Sequence, residues 1–387
     1  MNKYMDEVEF IRSLYPNENP VPLHSPVFIG NETQYVMECI NSTYVSYIGT
    51  YVIKFEEMTS RFTDAKFAIA VVNGTTALQV ALQVAGVTNG NEVITQPLTF
   101  VATANAISHV GGVPIFVDVD LDTMGMSPTS LLNYLRENCV IKNKTCFNRT
   151  TGRAIAAVVP MHTFGNPCKI DQIVEIAADY YLPVIEDAAE SIGSFYKGKH
   201  TGTFGLAGII SYNGNKTITT GGGGMILTNN ETYARKVRHV TTTGKMPHKW
   251  EYVHDIVAYN YRLNNLCGAL GVAQMECLEN ILVNKRETSE LYNNFFQNSE
   301  IKFFTEPQNS KSNYWLNAIQ LDNKQERDNF LAITNSNGVM TRPVWRLMSK
   351  LKMYKKCHHG DLSNSIFLEN RLVNIPSGYR QKTNKEI

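Results

Sequence analysis

The sequence predicts an α/β fold in which a mainly parallel sheet is covered by helices on both faces and is followed by a smaller α+β domain. Between residues 60 and 230, short runs of Val, Ile and Ala alternate with segments whose apolar residues recur at helical spacing. Strands that are apolar at nearly every position are typical of parallel sheets buried on both faces. After residue 262 a long helical pattern begins, so we predict two domains, 1–262 and 263–387.

Seven strands are predicted in the first domain, with helices between them. The strands are KFAIAVV (66–72), EVIT (92–95), PIFVDV (114–119), AIAAVV (154–159), LPVIED (182–187), GIISY (208–212) and GMILT (224–228). Helices are expected at residues 32–39, 76–85, 101–108 and 170–177. The helix 76–85 ends at Gly86, because glycine is favoured immediately after a helix.

The second domain opens with a helical pattern that runs from Leu263 to about Phe296. It continues with the apolar segment WLNAIQL (315–321), a helix near residues 326–334 and the strand-like segment LVNIP (372–376). This mixture indicates a small α+β domain.

Composition favours a cytoplasmic protein with a small-molecule partner. The chain has 387 residues, and its 36 Lys and Arg residues balance 35 Asp and Glu residues without a long run of like charge, so we expect no nucleic acid or membrane partner. The first residues lack the apolar core of a signal peptide, and no window resembles a membrane span. Seven scattered cysteines without a CxxC pair suit reduced thiols, and we predict no metal site.

Four of the predicted strands end beside residues that suit one binding site. Parallel sheets place their ligand sites at the C-terminal ends of the strands. In chain order, the residues at these ends are Gly74, Thr75 and Thr76, then Phe100, then Asp187, and finally Lys216. We therefore expect them to open on one edge of the sheet.

Each of these features also has a simpler explanation. Gly74-Thr75-Thr76 begins a helix, where free N–H groups attract a phosphate, but the segment equally suits a plain N-cap. Asp187 has the form of a strand-end carboxylate that caps the next turn. The glycines 221–224 suit a flexible loop or a close approach of backbone to a ligand. An isolated lysine such as Lys216 is usually a solvated surface residue.

Together, however, these residues meet the requirements of pyridoxal phosphate (PLP). This cofactor needs a lysine for its aldehyde, an anchor for its phosphate, a flat partner for its ring and a carboxylate that keeps its pyridine nitrogen protonated. Lys216, the segment 74–76, Phe100 and Asp187 supply one of these each. The combination is far more specific than any of its members.

The sequence resembles the DegT/StrS family of nucleotide-sugar aminotransferases from about Phe28 to the C-terminus. The resemblance lies in NGTTALQVAL, QPLTFVATANAI, PMHTFGNP, EDAAESIGS, SYNGNKTITTGGGGM and NYRLNNLCGALGVAQ. It implies fold type I of the PLP-dependent transferases, with a mainly parallel seven-stranded sheet. The segments PMHTFGNPC, GSFYKGKHTGTFG, TTTGKMPHKWEYVHD and TRPVWRLM further resemble the branch associated with legionaminic-acid-type sugars.

The resemblance implies roles for the residues around the cofactor ring. Lys216 would bond to the cofactor and move the proton, and Asp187 would pair with the pyridine nitrogen. Phe100 would stack on the ring, with a core position as its alternative. Glu190 would contact the cofactor near its hydroxyl group, where many relatives carry Gln or His. His162 is expected near the site, in a functional or a structural role.

The resemblance also implies a phosphate site shared between two subunits. The residues that would hold the phosphate within one chain are Gly74, Thr75, Thr76 and Ser211. Asn260, in the segment AYNYR, would reach the phosphate of the neighbouring subunit, which makes a homodimer necessary. Ala258 stands where relatives often carry a glycine. The segment 245–250, with two lysines, a histidine and a tryptophan, suits either a nucleotide diphosphate or a solvated loop.

The implied activity is the transfer of an amino group from L-glutamate to a nucleotide-linked 4-keto-6-deoxy sugar. A UDP-linked N-acetylhexosamine is the expected substrate, and a 4-amino-4,6-dideoxy sugar is the expected product. One alternative is a sugar dehydratase of the same fold that uses pyridoxamine phosphate, although such relatives replace the lysine or add an iron–sulfur site. A second alternative is a regulatory homologue that binds the sugar or PLP without turnover.

Overall fold

Helices and strands alternate through most of the chain. The structure is a computed structural model and describes residues 3–381. The helices are α1 (Met5–Leu14), α2 (Glu32–Ser42), α3 (Thr50–Thr63), α4 (Gly74–Val84), α5 (Val101–His109), α6 (Pro128–Asn138), α7 (Ile170–Asp179), α8 (Glu231–Thr241), α9 (Asn265–Phe296), α10 (Lys324–Ser336) and α11 (Ser363–Glu369). The strands are β1 (Phe67–Val71), β2 (Glu92–Thr95), β3 (Val113–Phe116), β4 (Cys139–Lys142), β5 (Thr145–Asn148), β6 (Ala154–Val159), β7 (Ile185–Asp187), β8 (Phe195–Tyr196), β9 (Lys199–His200), β10 (Ala207–Ser211), β11 (Gly224–Thr228), β12 (Lys302–Phe303), β13 (Ser310–Lys311), β14 (Asn317–Gln320), β15 (Arg342–Pro343) and β16 (Leu372–Ile375).

Seven of these strands form the main part of one large sheet in the order β3-β2-β6-β7-β10-β11-β1, and the hairpin β4-β5 adds to it by antiparallel pairing of β5 with β6. Two parallel bridges, Val158 with Val184 and Met161 with Asp187, join β6 to β7. β2 is parallel to β3 and β6, and β7 is parallel to β10, whereas β11 is antiparallel to both β10 and β1. The predicted mainly parallel seven-stranded sheet is confirmed, with β11 as its antiparallel strand.

Successive residues of β1 point into two different cores, one on each face of the sheet. Ile69 and Val71 pack with residues of α4 and α8, whereas Ala68 and Ala70 pack with residues of α3 and α9. Side chains of a strand alternate between its faces, so helices on both sides are needed to bury them all. This double burial explains why the strands are apolar at nearly every position.

A second, antiparallel sheet in the order β12-β14-β16-β15 forms the centre of the smaller C-terminal part. Helix α1 packs on the same core: the ring of Tyr4 lies 5.1 Å from that of Phe330, and Ile11 is buried with Val373. The N-terminal helix and the C-terminal sheet therefore share one core. The division into 1–262 and 263–387 stays a prediction.

Helix α9 connects the two sheets and is 32 residues long. Within residues 3–381 it is the one helix that is long and apolar enough to cross a membrane by length and composition, although the sequence suggested no such window. More than half of its most apolar stretch is buried in the protein. A Cβ on Gly271 would lie 2.8 Å from the ring of Phe55 in α3, so α9 is a closely packed core helix.

Several elements differ from the sequence prediction. The strand predicted at 182–187 begins only at Ile185, because Pro183 has no N–H to add to the sheet. The strand predicted at 114–119 ends at Phe116, after which Val119 pairs with Met126 in a separate bridge. The sequence prediction did not include helices α1, α3, α6, α8 and α11 or the hairpin β4-β5. The helix predicted from residue 76 begins at Gly74.

Candidate active site

A cavity of about 410 Å³ opens at the C-terminal edge of the large sheet. Its volume lies within the usual range for a small-molecule site. Seven of the nine residues predicted for the site line it, namely Gly74, Thr75, Phe100, Asp187, Glu190, Ser211 and Lys216. The fold thus brings together residues that the sequence places at the ends of different strands.

The N-terminus of α4 forms one end of the cavity. Asn73 caps this helix, and its side chain accepts a hydrogen bond of 2.8 Å from the Thr76 N–H. The N–H groups of Gly74 and Thr75 have no acceptor among residues 3–381. Two free N–H groups at the positive end of a helix form an anion site.

Two glycines allow the backbone to pack closely around this helix end. A Cβ on Gly74 would lie 3.0 Å from Cβ of Ser211, so the absence of a side chain brings the Ser211 hydroxyl next to the helix terminus. A Cβ on Gly224 would lie 2.5 Å from the carbonyl oxygen of Asn73. Gly224 therefore permits β11 to pass directly behind the cap, while Gly221 adopts φ +78° with nothing near its Cβ position.

Asp187 lies at the end of β7 and is buried. Its two carboxylate oxygens accept hydrogen bonds from the Thr103 hydroxyl at 2.7 Å and the Ala189 N–H at 3.2 Å. Burial raises its pKa above the usual value, and these two hydrogen bonds and the charge of Lys216 oppose the increase. No basic side chain lies within ion-pair distance of Asp187 in the described part of the chain, so this carboxylate has room for a cationic partner.

Lys216 lies in the loop after β10, and its amine enters the cavity between a carboxylate and an aromatic ring. Nζ is 3.2 Å from Oε1 of Glu190 and 4.0 Å from the ring centroid of Trp315. The indole N–H of Trp315 donates to the carbonyl of Asn215 at 2.7 Å, which fixes the ring beside the lysine. The side chain of Lys216 is 12% exposed, so a small molecule in the cavity can reach the amine.

Glu190 is the counterion of Lys216. Its second oxygen accepts a hydrogen bond of 3.0 Å from the N–H of Phe164. Burial raises the pKa of Glu190 to about 7, and the positive charge of Lys216 and the Phe164 hydrogen bond limit the increase. The carboxyl group can therefore gain or lose a proton near neutral pH.

Aromatic side chains form the outer wall of the cavity. Phe100 precedes α5 and is 50% exposed, with its ring 6.2 Å from that of Trp345. Trp345 in turn packs on Phe164 at 5.0 Å. Because half of the Phe100 side chain is exposed, its ring can stack on a ligand. Phe100 is not a buried core residue, which was the alternative.

His162 and Glu186 lie behind the cavity and are fully buried. His162 Nδ1 accepts a hydrogen bond from the Cys168 N–H, and its Nε2 lies 3.0 Å from Glu186. The carboxylate of Glu186 also accepts three backbone N–H groups, including that of Gly202. These residues tie the turn 202–205 to β7, which is a structural role.

Two predicted site residues lie outside the cavity. Thr76 uses both its N–H and its hydroxyl to bond Asn73, so it closes the cap of α4 and does not face the cavity. Asn260 is exposed and does not line the cavity of its own chain. The phosphate role of Thr76 has no support in this geometry, and a contribution of Asn260 to a second chain stays a prediction.

Sequence reasoning assigned no role to four residues of the site. Trp315 and Trp345 come from the smaller C-terminal part, which carries no strand-end signal that points to the cavity. Thr103 lies three residues after Phe100 on α5, and this helical spacing was the available signal. Asn73 precedes Thr76 by three residues, the spacing of an N-cap, and also lines the cavity.

The residues present fit PLP. Free N–H groups and the Ser211 hydroxyl suit a phosphate, and the buried Asp187 lacks the cation that a protonated pyridine nitrogen provides. Lys216 supplies an amine, and Phe100 supplies a flat exposed ring. No other group of residues along 3–381 gathers these four features in one cavity.

Comparisons with known proteins agree with this assignment. The family model described as the DegT/DnrJ/EryC1/StrS aminotransferase family matches residues 28–386. The GDP-perosamine synthase of Escherichia coli O157:H7 is 38% identical over 336 residues, which are 87% of this chain and 87% of the relative. The GDP-perosamine synthase of Vibrio cholerae is 34% identical over 362 residues, 92% of this chain and 94% of the relative.

A solved structure shows the same fold. An aminotransferase of the same family from Brucella abortus matches with a TM-score of 0.83 at 25% sequence identity. The match covers 92% of this chain and 92% of that chain. The predicted type I fold is therefore confirmed over nearly the whole length of the protein.

Proposed function

The chain belongs to the DegT/DnrJ/EryC1/StrS aminotransferase family and is a PLP-dependent sugar aminotransferase, and from this premise we propose that it transfers the amino group of L-glutamate to a nucleotide-linked 4-keto-6-deoxy sugar. The observation that supports the proposal is the cavity in which Lys216, Asp187 and the free N-terminus of α4 converge. When bound, PLP supplies an aldehyde that takes up an amino group and a protonated ring that withdraws electrons from the adjoining carbon.

The phosphate of the cofactor would be held at the N-terminus of α4. The N–H groups of Gly74 and Thr75 would donate to it, and Ser211 would add its hydroxyl from the end of β10. Because Asn73 fixes the first turn of the helix, the fold itself orients these donors. Such preorganisation reduces the ordering cost of binding.

Asp187 would keep the pyridine nitrogen protonated. Thr103 and the Ala189 N–H hold its carboxylate in one orientation, and burial leaves the negative charge poorly solvated. A cation beside it would therefore be strongly stabilised. Phe100 and Trp345 line the outer wall of the same cavity.

Lys216 would bond to the cofactor and carry the proton between the substrate carbon and the cofactor. Glu190 lies 3.2 Å from Nζ and has a pKa of about 7, so it can accept or return a proton near neutral pH. The ring of Trp315 keeps the amine in the cavity while it is free. L-Glutamate is the proposed amino donor.

The acceptor we propose is a UDP-linked N-acetylated 4-keto-6-deoxyhexosamine, and the product is the corresponding 4-amino sugar. The support is the resemblance of four sequence segments to the legionaminic-acid-type branch. A GDP-linked sugar is the second candidate, because two relatives at 38% and 34% identity are named GDP-perosamine synthase.

We also propose that the protein acts as a homodimer. Exposed apolar side chains occur in the segment that leads to Asn260 and in the loop before α3: Val257 is 94% exposed and Ile48 is 68% exposed. Hydrogen bonds from the Asn265 N–H to the carbonyls of Val45 and Ser46 hold the loop that contains Ile48 next to the start of α9, which follows Asn260 in the chain. A second copy of the chain would bury this surface and bring Asn260 to the other phosphate site.

The loop 245–257 is exposed along its whole length and does not line the cavity of its own chain. Lys245 Nζ lies 4.3 Å from the ring of Tyr252, and Trp250 is 71% exposed. In a dimer this loop would be available to a nucleotide bound in the partner site. A cytoplasmic location is proposed because the seven cysteines are free thiols.

The test is to mix the purified protein with L-glutamate and a panel of UDP- and GDP-linked 4-keto sugars, and to follow 2-oxoglutarate. We expect one sugar to give 2-oxoglutarate and an amino sugar in equal amounts, and Lys216→Ala to give neither. A dehydratase would remove a hydroxyl group from the sugar and form no amino sugar, and a regulatory homologue would bind a ligand and leave glutamate intact. Either outcome would overturn the proposal.

A further inference from the structure

A buried lysine in the middle of α9 has no part in the proposed function. Lys285 is 2% exposed, although lysine is almost never fully buried without a partner. No carboxylate lies within ion-pair distance of it among the described residues. A side chain kept in the core under these conditions requires a specific explanation.

Three acceptors surround the amine of Lys285. Nζ donates to the carbonyl of Ser377 at 2.6 Å and to the carbonyl of Trp315 at 3.2 Å, and it lies 3.1 Å from His24 Nε2. An ammonium group has three donors, so the set of acceptors matches it in number. Burial lowers the pKa of His24 well below its usual value, which keeps the imidazole neutral and able to accept.

One of these acceptors leads directly to the active site. The carbonyl bound by Lys285 belongs to Trp315, whose ring centroid lies 4.0 Å from Nζ of Lys216. The other polar groups of Trp315 are fixed as well, the main-chain N–H by Asn313 at 2.9 Å and the indole N–H by Asn215 at 2.7 Å. Lys285 is therefore the part of α9 that holds this tryptophan.

We propose that Lys285 is a positioning residue, which holds Trp315 against the amine of Lys216. The proposal rests on the proposed function, because Lys216 matters as the amine that receives the cofactor. Without Lys285 the Trp315 carbonyl would be buried without a donor, and the segment at Trp315 that leads into β14 would shift to find one. The ring would then leave the face of Lys216.

A purely structural role for Lys285 predicts a different result and has a matched control. Two neighbours on α9 bond the same segment without touching Trp315: Asn284 donates to the Arg380 carbonyl and Tyr292 donates to the Pro376 carbonyl, both at 2.8 Å. Tyr292→Phe removes one of these bonds with almost no change in volume. If Lys285 merely ties α9 to this segment, the two substitutions should affect Lys216 equally.

The experiment measures how fast Lys216 reacts with trinitrobenzenesulfonate in the cofactor-free protein, with the labelled peptides identified by mass spectrometry. We expect Lys285→Met to raise the rate about two- to fivefold over Tyr292→Phe, the factor that a cation–π contact contributes. In a Trp315→Leu background, Lys285→Met should give no further increase. This readout needs no sugar or PLP, so it stands even if the panel of sugars gives no product.

Equal rates in Lys285→Met and Tyr292→Phe would overturn the proposal. An increase that persists undiminished in the Trp315→Leu background would overturn it as well, since the effect would then not pass through the tryptophan. Cooperative thermal unfolding is required of each variant before labelling. If Lys285→Met does not fold, Lys285→Gln, which keeps two N–H donors, is expected to give an intermediate rate, and a wild-type rate would count against the proposal.

Discussion

The substitution Glu190→Gln tests the role of the carboxyl group that pairs with Lys216. Glu190 is 2% exposed, and burial raises its pKa from 4.5 to about 7, although Lys216 and the Phe164 N–H oppose the increase. Glutamine has nearly the same shape and still accepts the Phe164 hydrogen bond. The variant therefore removes the titration of this group and its charge beside Lys216, and it keeps the shape of the side chain.

The raised pKa of Glu190 lowers the stability of the cofactor-free protein at neutral and alkaline pH. The folded chain keeps a proton that the unfolded chain releases, so the free energy of unfolding falls as pH rises from about 4.5 to about 7. Each pH unit of this difference corresponds to about 1.4 kcal/mol, which gives roughly 3 kcal/mol in total. Above pH 7 the whole penalty is present, and below pH 4.5 none of it is.

We therefore expect Glu190→Gln to stabilise the cofactor-free protein at pH 8 by about 3 kcal/mol more than at pH 5. For a chain of this length that difference is about 4 °C in the midpoint of thermal unfolding, which calorimetry resolves easily. Glu57→Gln, on the exposed surface of α3, serves as the control and should show no such dependence. A difference between variant and wild type that is the same at both pH values, or larger at pH 5, would refute the assigned environment of Glu190.

Three further substitutions test the other walls of the cavity. Asp187→Asn removes the charge that faces the ring nitrogen, and kcat should fall about 100-fold or more while absorbance shows that PLP still binds; a kcat near that of the wild type would contradict the role. Ser211→Ala removes a phosphate donor and should weaken PLP binding about 10- to 100-fold in equilibrium titrations, whereas unchanged affinity would exclude this contact. Gly74→Ala places a Cβ 3.0 Å from that of Ser211 and should cost about 1–3 kcal/mol of stability together with PLP affinity. Gly222→Ala, whose nearest atom would be 3.8 Å away, is its control and should unfold and bind like the wild type.

The part of the site that depends on strand ends is predictable from the sequence. Asp187 ends a run of buried residues, and Gly74 and Lys216 follow two others, so the rule for parallel sheets was enough to bring them together. The strand β11 illustrates the limit of this reasoning. Its sequence is as apolar as that of its parallel neighbours, and only pairing partners distant in the chain reveal that it runs antiparallel.

The part of the site that comes from the smaller C-terminal part of the chain is not predictable in this way. Trp315 enters the cavity because Lys285, Asn313 and Asn215 hold its three polar groups, and these contacts join segments up to 100 residues apart. From the sequence alone, the apolar segment around Trp315 is equally typical of a core strand and of a segment that lines a cavity. Hydrogen bonds of this kind between distant segments leave no periodic pattern in the sequence.

A local hydrogen bond also removes one residue from the predicted phosphate site. Thr76 stands in a segment that suits a phosphate, and the sequence gives no reason to separate it from Gly74 and Thr75. The side chain of Asn73 takes the Thr76 N–H for the helix cap, so only the two preceding N–H groups remain free. The rotamer of Asn73 decides which N–H group of the first helical turn is used in the cap, and the sequence does not specify that rotamer.

The most direct test of the account is to reduce the PLP-loaded protein with borohydride and to find the modified lysine by peptide mass spectrometry. Borohydride makes the bond between the cofactor and its lysine permanent. The account predicts a phosphopyridoxyl group on the peptide that contains Lys216 and none on the peptide that contains Lys285, the buried lysine behind Trp315. Modification of Lys285 or of a surface lysine, with Lys216 unmodified, would contradict the assignment of the active site.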